Sequence, residues 1–176
     1  MGRTYKLEGS KTAILKILIF TEGTILMHKG AVGHDRSTVI KQVMEHNQSV
    51  NNYAEYVPIG NSVEKIRRWQ KQGAKIYYVT SRKTDVQLND IRFTLKKYQF
   101  PKGPLEYRKT DEEYKDVVER LMPDIFIEDD CESIGGKKEM TYPQINRDSK
   151  EKITSVVVQE FGGLDHLPDE IVKLKN

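Results

Sequence analysis

Three short polar segments follow apolar stretches of this sequence, and their side chains are of types that bind phosphate and metal ions. The segments are Thr-Glu-Gly-Thr at residues 21–24, Thr-Ser-Arg at residues 80–82 and Glu-Asp-Asp at residues 128–130. Hydroxyl groups donate hydrogen bonds to phosphate oxygens, and clustered carboxylates are costly unless a cation or hydrogen-bond donors compensate them. Mg²⁺ favours such oxygen ligands. A fold that brings these segments together would therefore form a phosphate and magnesium site.

Individual side chains in these segments have alternative interpretations. Asp129 is the strongest metal-binding candidate, with Asp130 and Glu128 beside it, but such a cluster can also cap a helix in a solvated loop. Glu22 can serve as an acid or water-orienting base near a metal, or it can cap the turn after its strand. Thr80 and Ser81 can bind phosphate or stabilise a turn.

Lys115 is a further candidate, because it lies in a predicted helix that precedes the acidic segment. Its ammonium could reach the site from one face of the sheet and neutralise either the acids or a bound phosphate. A solvated helix lysine is the alternative interpretation.

Alternating strand and helix patterns predict the elements that must position these groups. Apolar and β-branched runs indicate strands, and apolar residues at helical spacing after residues such as Asn61, Thr84 and Thr110 indicate capped helices. The predicted strands are 13–20, 75–80, 105–108, 125–127 and 155–158, and the predicted helices are 37–45, 62–72, 84–100 and 110–122. This alternation predicts a three-layer α/β sandwich with a mainly parallel, Rossmann-like sheet. Ligands bind such sheets beyond the carboxyl ends of the strands.

The length of 176 residues favours a single α/β domain, which we expect at residues 13–176. Residues 1–12 show no periodicity, and we expect a flexible N-terminal arm there. The polar stretch at about 28–58 predicts a small flap inserted after the first strand.

Composition gives little indication of a nucleic-acid or membrane partner. The formal net charge of +3 carries no strong nucleic-acid signal, and no apolar run is long enough to cross a membrane. The single cysteine, Cys131, excludes an internal disulfide bond and favours a reducing compartment, so we expect a cytoplasmic protein.

The polar segments, taken in order, resemble the motifs of the haloacid-dehalogenase-like superfamily, most of whose members are phosphohydrolases. The resemblance covers residues 14–161: Ile-Leu-Ile-Phe-Thr-Glu-Gly-Thr at 17–24 is similar to the first motif, and Tyr-Tyr-Val-Thr-Ser-Arg at 77–82 to the second. Lys115 fits the third motif and Ile-Phe-Ile-Glu-Asp-Asp at 125–130 the fourth. The resemblance implies that Thr80 holds phosphate, that an acid of the last segment coordinates Mg²⁺, and that a short flap accompanies larger or macromolecular substrates.

The sequence departs from the family at the position of the nucleophile. Phe20 stands where the family has its nucleophilic aspartate, and Glu22 stands where it has its acid/base aspartate. A phenyl ring cannot attack phosphorus. We therefore expect a degenerate member of the superfamily that binds phosphate or Mg²⁺ weakly or has a regulatory role, with a phosphorylated small molecule or macromolecule as its partner. Two alternatives remain: a metal-dependent phosphohydrolase that uses Glu22 and Asp129, and a structural interaction module.

Overall fold

A five-stranded parallel sheet forms the centre of the protein. The computed structural model describes residues 14–175, so the predicted arm at residues 1–12 lies outside the described part. The strands, in chain order, are β1 (Lys16–Phe20), β2 (Leu26–Met27), β3 (Val57–Pro58), β4 (Lys75–Val79), β5 (Leu105–Glu106), β6 (Ile125–Asp129) and β7 (Thr154–Val158). Five of them pair in the order β5-β4-β1-β6-β7, all parallel, and β2 and β3 form a separate antiparallel pair.

Helices cover both faces of this sheet. The helices of the described part are α1 (Arg36–Met44), which lies between β2 and β3, and α2 (Ser62–Lys71), α3 (Asp85–Lys97), α4 (Tyr114–Leu121) and α5 (Arg147–Lys150). On one face of the central strand β1, Ile17 and Ile19 pack in a buried cluster that includes Trp69 of α2. On the other face, Leu18 packs with Val117 of α4. The predicted three-layer α/β sandwich is thereby confirmed.

Of the predicted helix caps Asn61, Thr84 and Thr110, only Thr84 caps its helix as predicted. The Thr84 side chain accepts a hydrogen bond from the Gln87 backbone, as its position before α3 predicts. In contrast, α4 begins at Tyr114, four residues after the predicted cap Thr110. Asp111 adopts a positive φ of 64°, which interrupts helical geometry, and the cap of α4 is the reciprocal pair of Glu113 and Asp116.

The start of α2 also lacks its predicted cap. The Asn61 side chain makes no capping hydrogen bond. Instead, the Asn61 backbone N–H donates to Asp165 Oδ1 at 2.9 Å. The acceptor at the start of α2 is therefore Asp165 from the C-terminal segment, whereas the sequence pattern predicted an acceptor within the helix start itself.

The flap is the chain between β2 and β3, and it contains α1 and three short 3-10 turns. Inside the flap, the Gln42 side chain bridges two residues of the loop after β2. Its amide N–H donates to the Gly30 carbonyl at 3.0 Å, and its amide oxygen lies 2.9 Å from His28 Nε2. The Thr94 hydroxyl of α3 donates to the Tyr53 carbonyl at 3.0 Å, which attaches the flap to the domain. None of the described helices combines the length and apolar character that crossing a membrane requires.

Candidate functional site

The carboxyl ends of β1, β4 and β6 meet beneath the flap and form the floor of a cavity of about 610 Å³. Phe20, the last residue of β1, lines this cavity. Its ring packs edge-on against Tyr114 with a centroid distance of 5.3 Å and lies 6.5 Å from the ring of Phe126. The position at which the family resemblance implies a nucleophile is therefore part of an aromatic cluster.

The first polar group on the floor, which we call the hydroxyl corner, comprises Thr80, Ser81 and Arg82 after β4. Glu22 lies among these donors. The Thr80 hydroxyl donates to Glu22 Oε1 at 2.7 Å, and Arg82 Nε lies 3.1 Å from the same oxygen. The Thr21 hydroxyl donates to the other carboxylate oxygen, and only 13% of the Glu22 side chain is exposed. The carboxylate of Glu22 thus occupies the place where these hydroxyl and guanidinium donors converge.

The second polar group, which we call the acidic corner, comprises Asp129, Asp130 and Glu160. One carboxylate oxygen from each of these residues lies within 4.8 Å of the others. Asp129 Oδ2 accepts the Thr24 hydroxyl at 2.8 Å. Burial raises the pKa values of Asp129 and Glu160 above their usual range, because it penalises the charged carboxylates.

Arg36 brings a cation from the flap to the acidic corner. Its Nη2 lies 3.5 Å from Asp130 Oδ1, and its Nε donates to the Glu160 carbonyl at 2.7 Å. The same guanidinium pairs with Glu132. The first residue of α1 is therefore bound to the loop that follows β6, and part of the negative charge at the acidic corner is balanced within the chain.

Gly23 lies between the two corners, and its lack of a side chain leaves room for Asp129 and Glu160 of the acidic corner. Its φ of 82° lies in the left-handed region, and a Cβ at this position would approach Asp129 Oδ2 to 2.9 Å and Glu160 Cγ to 3.3 Å. The Phe161 N–H donates to the Gly23 carbonyl at 2.7 Å, which holds the chain after β7 against this loop. Glycine is required here both by conformation and by space.

Glu128 lies next to Asp129 in sequence but binds a different part of the chain. Its two carboxylate oxygens accept the backbone N–H groups of Thr141 at 2.7 Å and Tyr142 at 2.8 Å. Burial raises the pKa of Glu128 to about 7 despite these hydrogen bonds. The structure therefore joins Asp129 and Asp130 with Glu160, rather than with Glu128, in the group that could hold a metal ion.

Lys115 does not line the cavity. Its ammonium lies 2.9 Å from Glu113 Oε2, and 39% of the side chain is exposed. The preceding residue, Tyr114, points its ring at Phe20, and the guanidinium of Arg108 stacks 4.1 Å from the Tyr114 ring centroid. Because neighbouring residues on a helix face different directions, placing Tyr114 on the floor turns Lys115 away from it.

Two residues of the site were not among the sequence-based candidates. Glu160 comes two residues after the end of β7, so the rule that ligands bind at the carboxyl ends of strands could have included it. Arg36 has no comparable signal, because it approaches Glu160 across 124 positions of sequence through the fold of the flap.

Comparisons with known proteins agree with this architecture. No protein-family model matches the sequence, and no curated protein matches it. Among solved structures, the class C acid phosphatase from Bacillus anthracis has a TM-score of 0.55 and 18% identity, over 87% of this chain and 70% of that chain. A chain of the Pnkp1/Rnl/Hen1 RNA repair complex has a TM-score of 0.52 and 13% identity, over 86% of this chain.

The match to the RNA repair complex is partial, because this chain covers only 45% of that longer chain. A second structure of this RNA repair complex gives a coverage of 50%, so this chain spans about half the length of those chains. At identities below 20% these likenesses concern the fold alone. With the sheet order, they show that the chain has the parallel α/β fold of these structures, the acid phosphatase among them.

Proposed function

We propose that this protein is a non-hydrolytic relative of the fold's phosphatases, which binds a ligand in the strand-end cavity without cleaving it. The observation that carries the proposal is Phe20: its ring lines the cavity at the end of β1 and packs on Tyr114 and Phe126. An aspartyl-phosphate intermediate requires a carboxylate at the point of attack, and a phenyl ring has no nucleophilic atom.

The hydroxyl corner supports the same conclusion. Its phosphate-binding candidates, Thr80 and Ser81, face the carboxylate of Glu22, at 2.7 Å and 3.5 Å respectively. A phosphate group would have to displace this carboxylate or approach it against like-charge repulsion. We therefore expect weak affinity for free phosphate, and Lys115, which pairs with Glu113, adds no charge at this point.

The acidic corner fits a divalent cation in its donor chemistry. Asp129, Asp130 and Glu160 offer only oxygen ligands, and the absence of a side chain at Gly23 keeps the space beside Asp129 Oδ2 open. Two features weaken the site: Phe20 offers no oxygen, and Arg36 already lies 3.5 Å from Asp130. Mg²⁺ would supply charge neutralisation for the three carboxylates, and we expect its affinity to be low.

An altered phosphohydrolase is the second candidate, because Glu22 and Asp129 lie on the same cavity floor. Either carboxylate would have to activate a water molecule directly. Glu22 is surrounded by donors of the hydroxyl corner, and both oxygens of Asp129 accept hydrogen bonds, from Thr24 and from the Cys131 backbone. These contacts favour structural roles for both groups over a water-activating role.

A phosphatase assay separates the two candidates. The wild-type protein and Asp129→Asn, purified in the same way, are incubated with para-nitrophenyl phosphate and Mg²⁺. We expect equal, background-level rates, because position 20 carries a phenyl ring and no nucleophilic atom in either protein. A Mg²⁺-dependent rate in the wild type that disappears in Asp129→Asn would contradict the proposal and establish the altered hydrolase.

Thermal unfolding tests the binding role against a purely structural module. A ligand that binds only the folded state raises its stability as the ligand concentration exceeds the dissociation constant. We expect small increases in melting temperature with millimolar Mg²⁺. If neither Mg²⁺, phosphate nor any small organic ligand changes the melting temperature, the interaction module replaces the binding protein.

A further inference from the structure

The cavity between the flap and the sheet has aromatic walls. Its volume of about 610 Å³ falls within the usual range for small-molecule sites. Aromatic rings line it from the end of β1, the flap, the start of α4 and the segment after β7: Phe20, Tyr53, Tyr56, Tyr114 and Phe161. Because Phe20 and Phe161 carry no polar side-chain atoms, these walls offer surface to an apolar group.

The charged groups that line the same cavity are mostly acids. The carboxyl-bearing residues are Glu22, Glu128, Asp129, Glu139 and Glu160, and the arginine among the described lining residues is Arg82. Arg82 is balanced by Glu22 at 3.1 Å. Burial lowers the pKa of His28, so this lining imidazole is neutral near pH 7. Carboxyl groups outnumber arginines among the lining residues, which disfavours an anionic ligand and favours a cationic one.

Two of the rings already accept cations from the chain. The guanidinium carbon of Arg82 lies 4.6 Å from the centroid of the Tyr53 ring, and that of Arg108 lies 4.1 Å from the centroid of the Tyr114 ring. Aromatic faces attract cations at these distances through their electron-rich surfaces. The cavity thus combines the two features that bind organic cations in water: aromatic rings and nearby carboxylates.

Two large apolar side chains that line the cavity are exposed to solvent. Met44 of the flap and Ile134 of the loop after β6 both line it, and they are 61% and 62% exposed. Large apolar side chains that are exposed around a cavity indicate a surface that a bound molecule covers. A ligand with an apolar body would contact these two side chains while its charged end lies nearer the acids.

We propose that this cavity binds a small organic cation, an alkylated ammonium group attached to an apolar body. This assignment rests on the binding role proposed above and names the chemical class of its ligand. It differs from the metal site of the acidic corner, because the cation is held by ring faces beside carboxyl groups rather than by direct carboxylate coordination.

Calorimetric titration of the wild-type protein with matched compounds tests the proposal. Choline and 3,3-dimethyl-1-butanol have nearly the same shape and differ in charge, and benzyltrimethylammonium adds an aromatic body. We expect choline to bind at least fivefold more tightly than its neutral isostere, and benzyltrimethylammonium to bind more tightly than choline. Equal affinities for choline and the isostere would overturn the proposal, and so would tighter binding of phenyl phosphate.

Variants locate the binding. Glu139 lines the cavity and is exposed, so Glu139→Gln removes a charge without disturbing the core. We expect Glu139→Gln to lower the affinity for benzyltrimethylammonium severalfold. We expect Phe161→Leu to lower this affinity severalfold as well. Glu151→Gln, an exposed acid outside the cavity lining, is the control and should leave the affinity unchanged. An unchanged affinity in Glu139→Gln and in a folded Phe161→Leu would overturn the location.

The outcomes also distinguish this inference from the proposed function. If phenyl phosphate binds without being hydrolysed and the ammonium compounds do not bind, the ligand class is wrong while the non-hydrolytic binding role stands. If the wild type hydrolyses phenyl phosphate in an Asp129-dependent manner, the proposed function itself is wrong.

Discussion

The hydroxyl corner and the acidic corner lie on opposite sides of the loop at residues 21–24, and each contains a side chain of the charge that a ligand would bring. Glu22 is an anion among donors, and Arg36 is a cation near carboxylates. Glu22 comes from the sheet-end loop and is 13% exposed, whereas Arg36 comes from the flap and is 29% exposed. The counterion of the hydroxyl corner, Glu22, thus belongs to the loop at the sheet end. The counterion of the acidic corner, Arg36, is held in place by the flap.

The variant Gly23→Ala tests whether the loop between the corners has room for a side chain. Gly23→Ala places a Cβ 2.9 Å from Asp129 Oδ2 at a φ of 82°, and we expect it to lower the free energy of unfolding by roughly 2–4 kcal/mol. Gly33→Ala is the matched control, because Gly33 has a φ of 80° and no atom within 4 Å of the added Cβ. The control should lose only about 1 kcal/mol. Equal losses in urea unfolding would show that space at Gly23 does not matter.

The variant Glu128→Gln tests whether burial at the end of β6 raises the pKa of the Glu128 carboxyl. Its pKa of about 7 in the folded protein lies above the ordinary value of 4.5, so the folded state holds a proton that the unfolded state releases. The free energy of unfolding therefore falls as the pH rises from about 4.5 to 7, by on the order of 3 kcal/mol. In Glu128→Gln this part of the fall should be missing.

Chemical unfolding at several pH values compares the wild type with Glu128→Gln. The exposed Glu151→Gln should follow the wild-type profile, because a solvated carboxyl has nearly the same environment in both states. Parallel profiles for the wild type and Glu128→Gln would contradict the raised pKa.

Glu22→Gln tests the internal counterion of the hydroxyl corner. The variant leaves the charge of Arg82 unbalanced, and we expect a loss of about 1–2 kcal/mol in the free energy of unfolding. It also removes the repulsion against an anion, so millimolar phosphate should raise the melting temperature of the variant more than that of the wild type. The control is Glu64→Gln, because the Glu64 side chain is 57% exposed and also pairs with an arginine, Arg67. An identical response to phosphate in wild type and Glu22→Gln would remove the distinction between the corners.

Arg36→Gln tests the flap-borne counterion and should have the smallest effect on stability. The loss of its contacts with Asp130 and Glu160 should cost about 0.5–1 kcal/mol, because the pair is partly solvated. Mg²⁺ should then stabilise the variant more than the wild type, since the carboxylates lose their cation. Arg147→Gln, which removes a 90% exposed partner of Glu151, is the control. Thermal unfolding that shows no added Mg²⁺ effect in Arg36→Gln would contradict this role.

The layers of the fold were predictable because strand and helix patterns are local. The apolar run that ends at Phe20 and the stripe that contains Trp69 both predict the faces that the structure buries. The helix starts at Asn61 and Thr110 were less predictable, because Asp165 supplies an acceptor to the Asn61 backbone, and the positive φ of Asp111 delays α4. Neither a distant acceptor nor a tight turn leaves a periodic signal.

By itself, the sequence determined which segments follow strands, and it showed that position 20 has no nucleophile. Chain order and the parallel topology are sufficient to bring residues 21–24, 80–82 and 128–130 to one edge of the sheet. Only the tertiary structure decided what each group contacts there: Glu22 with Thr80, Glu160 with the acids, and Lys115 with Glu113. The physical reason is that strand placement follows from local hydrophobic patterns, whereas side-chain pairing depends on directions and distances set by packing across the whole chain.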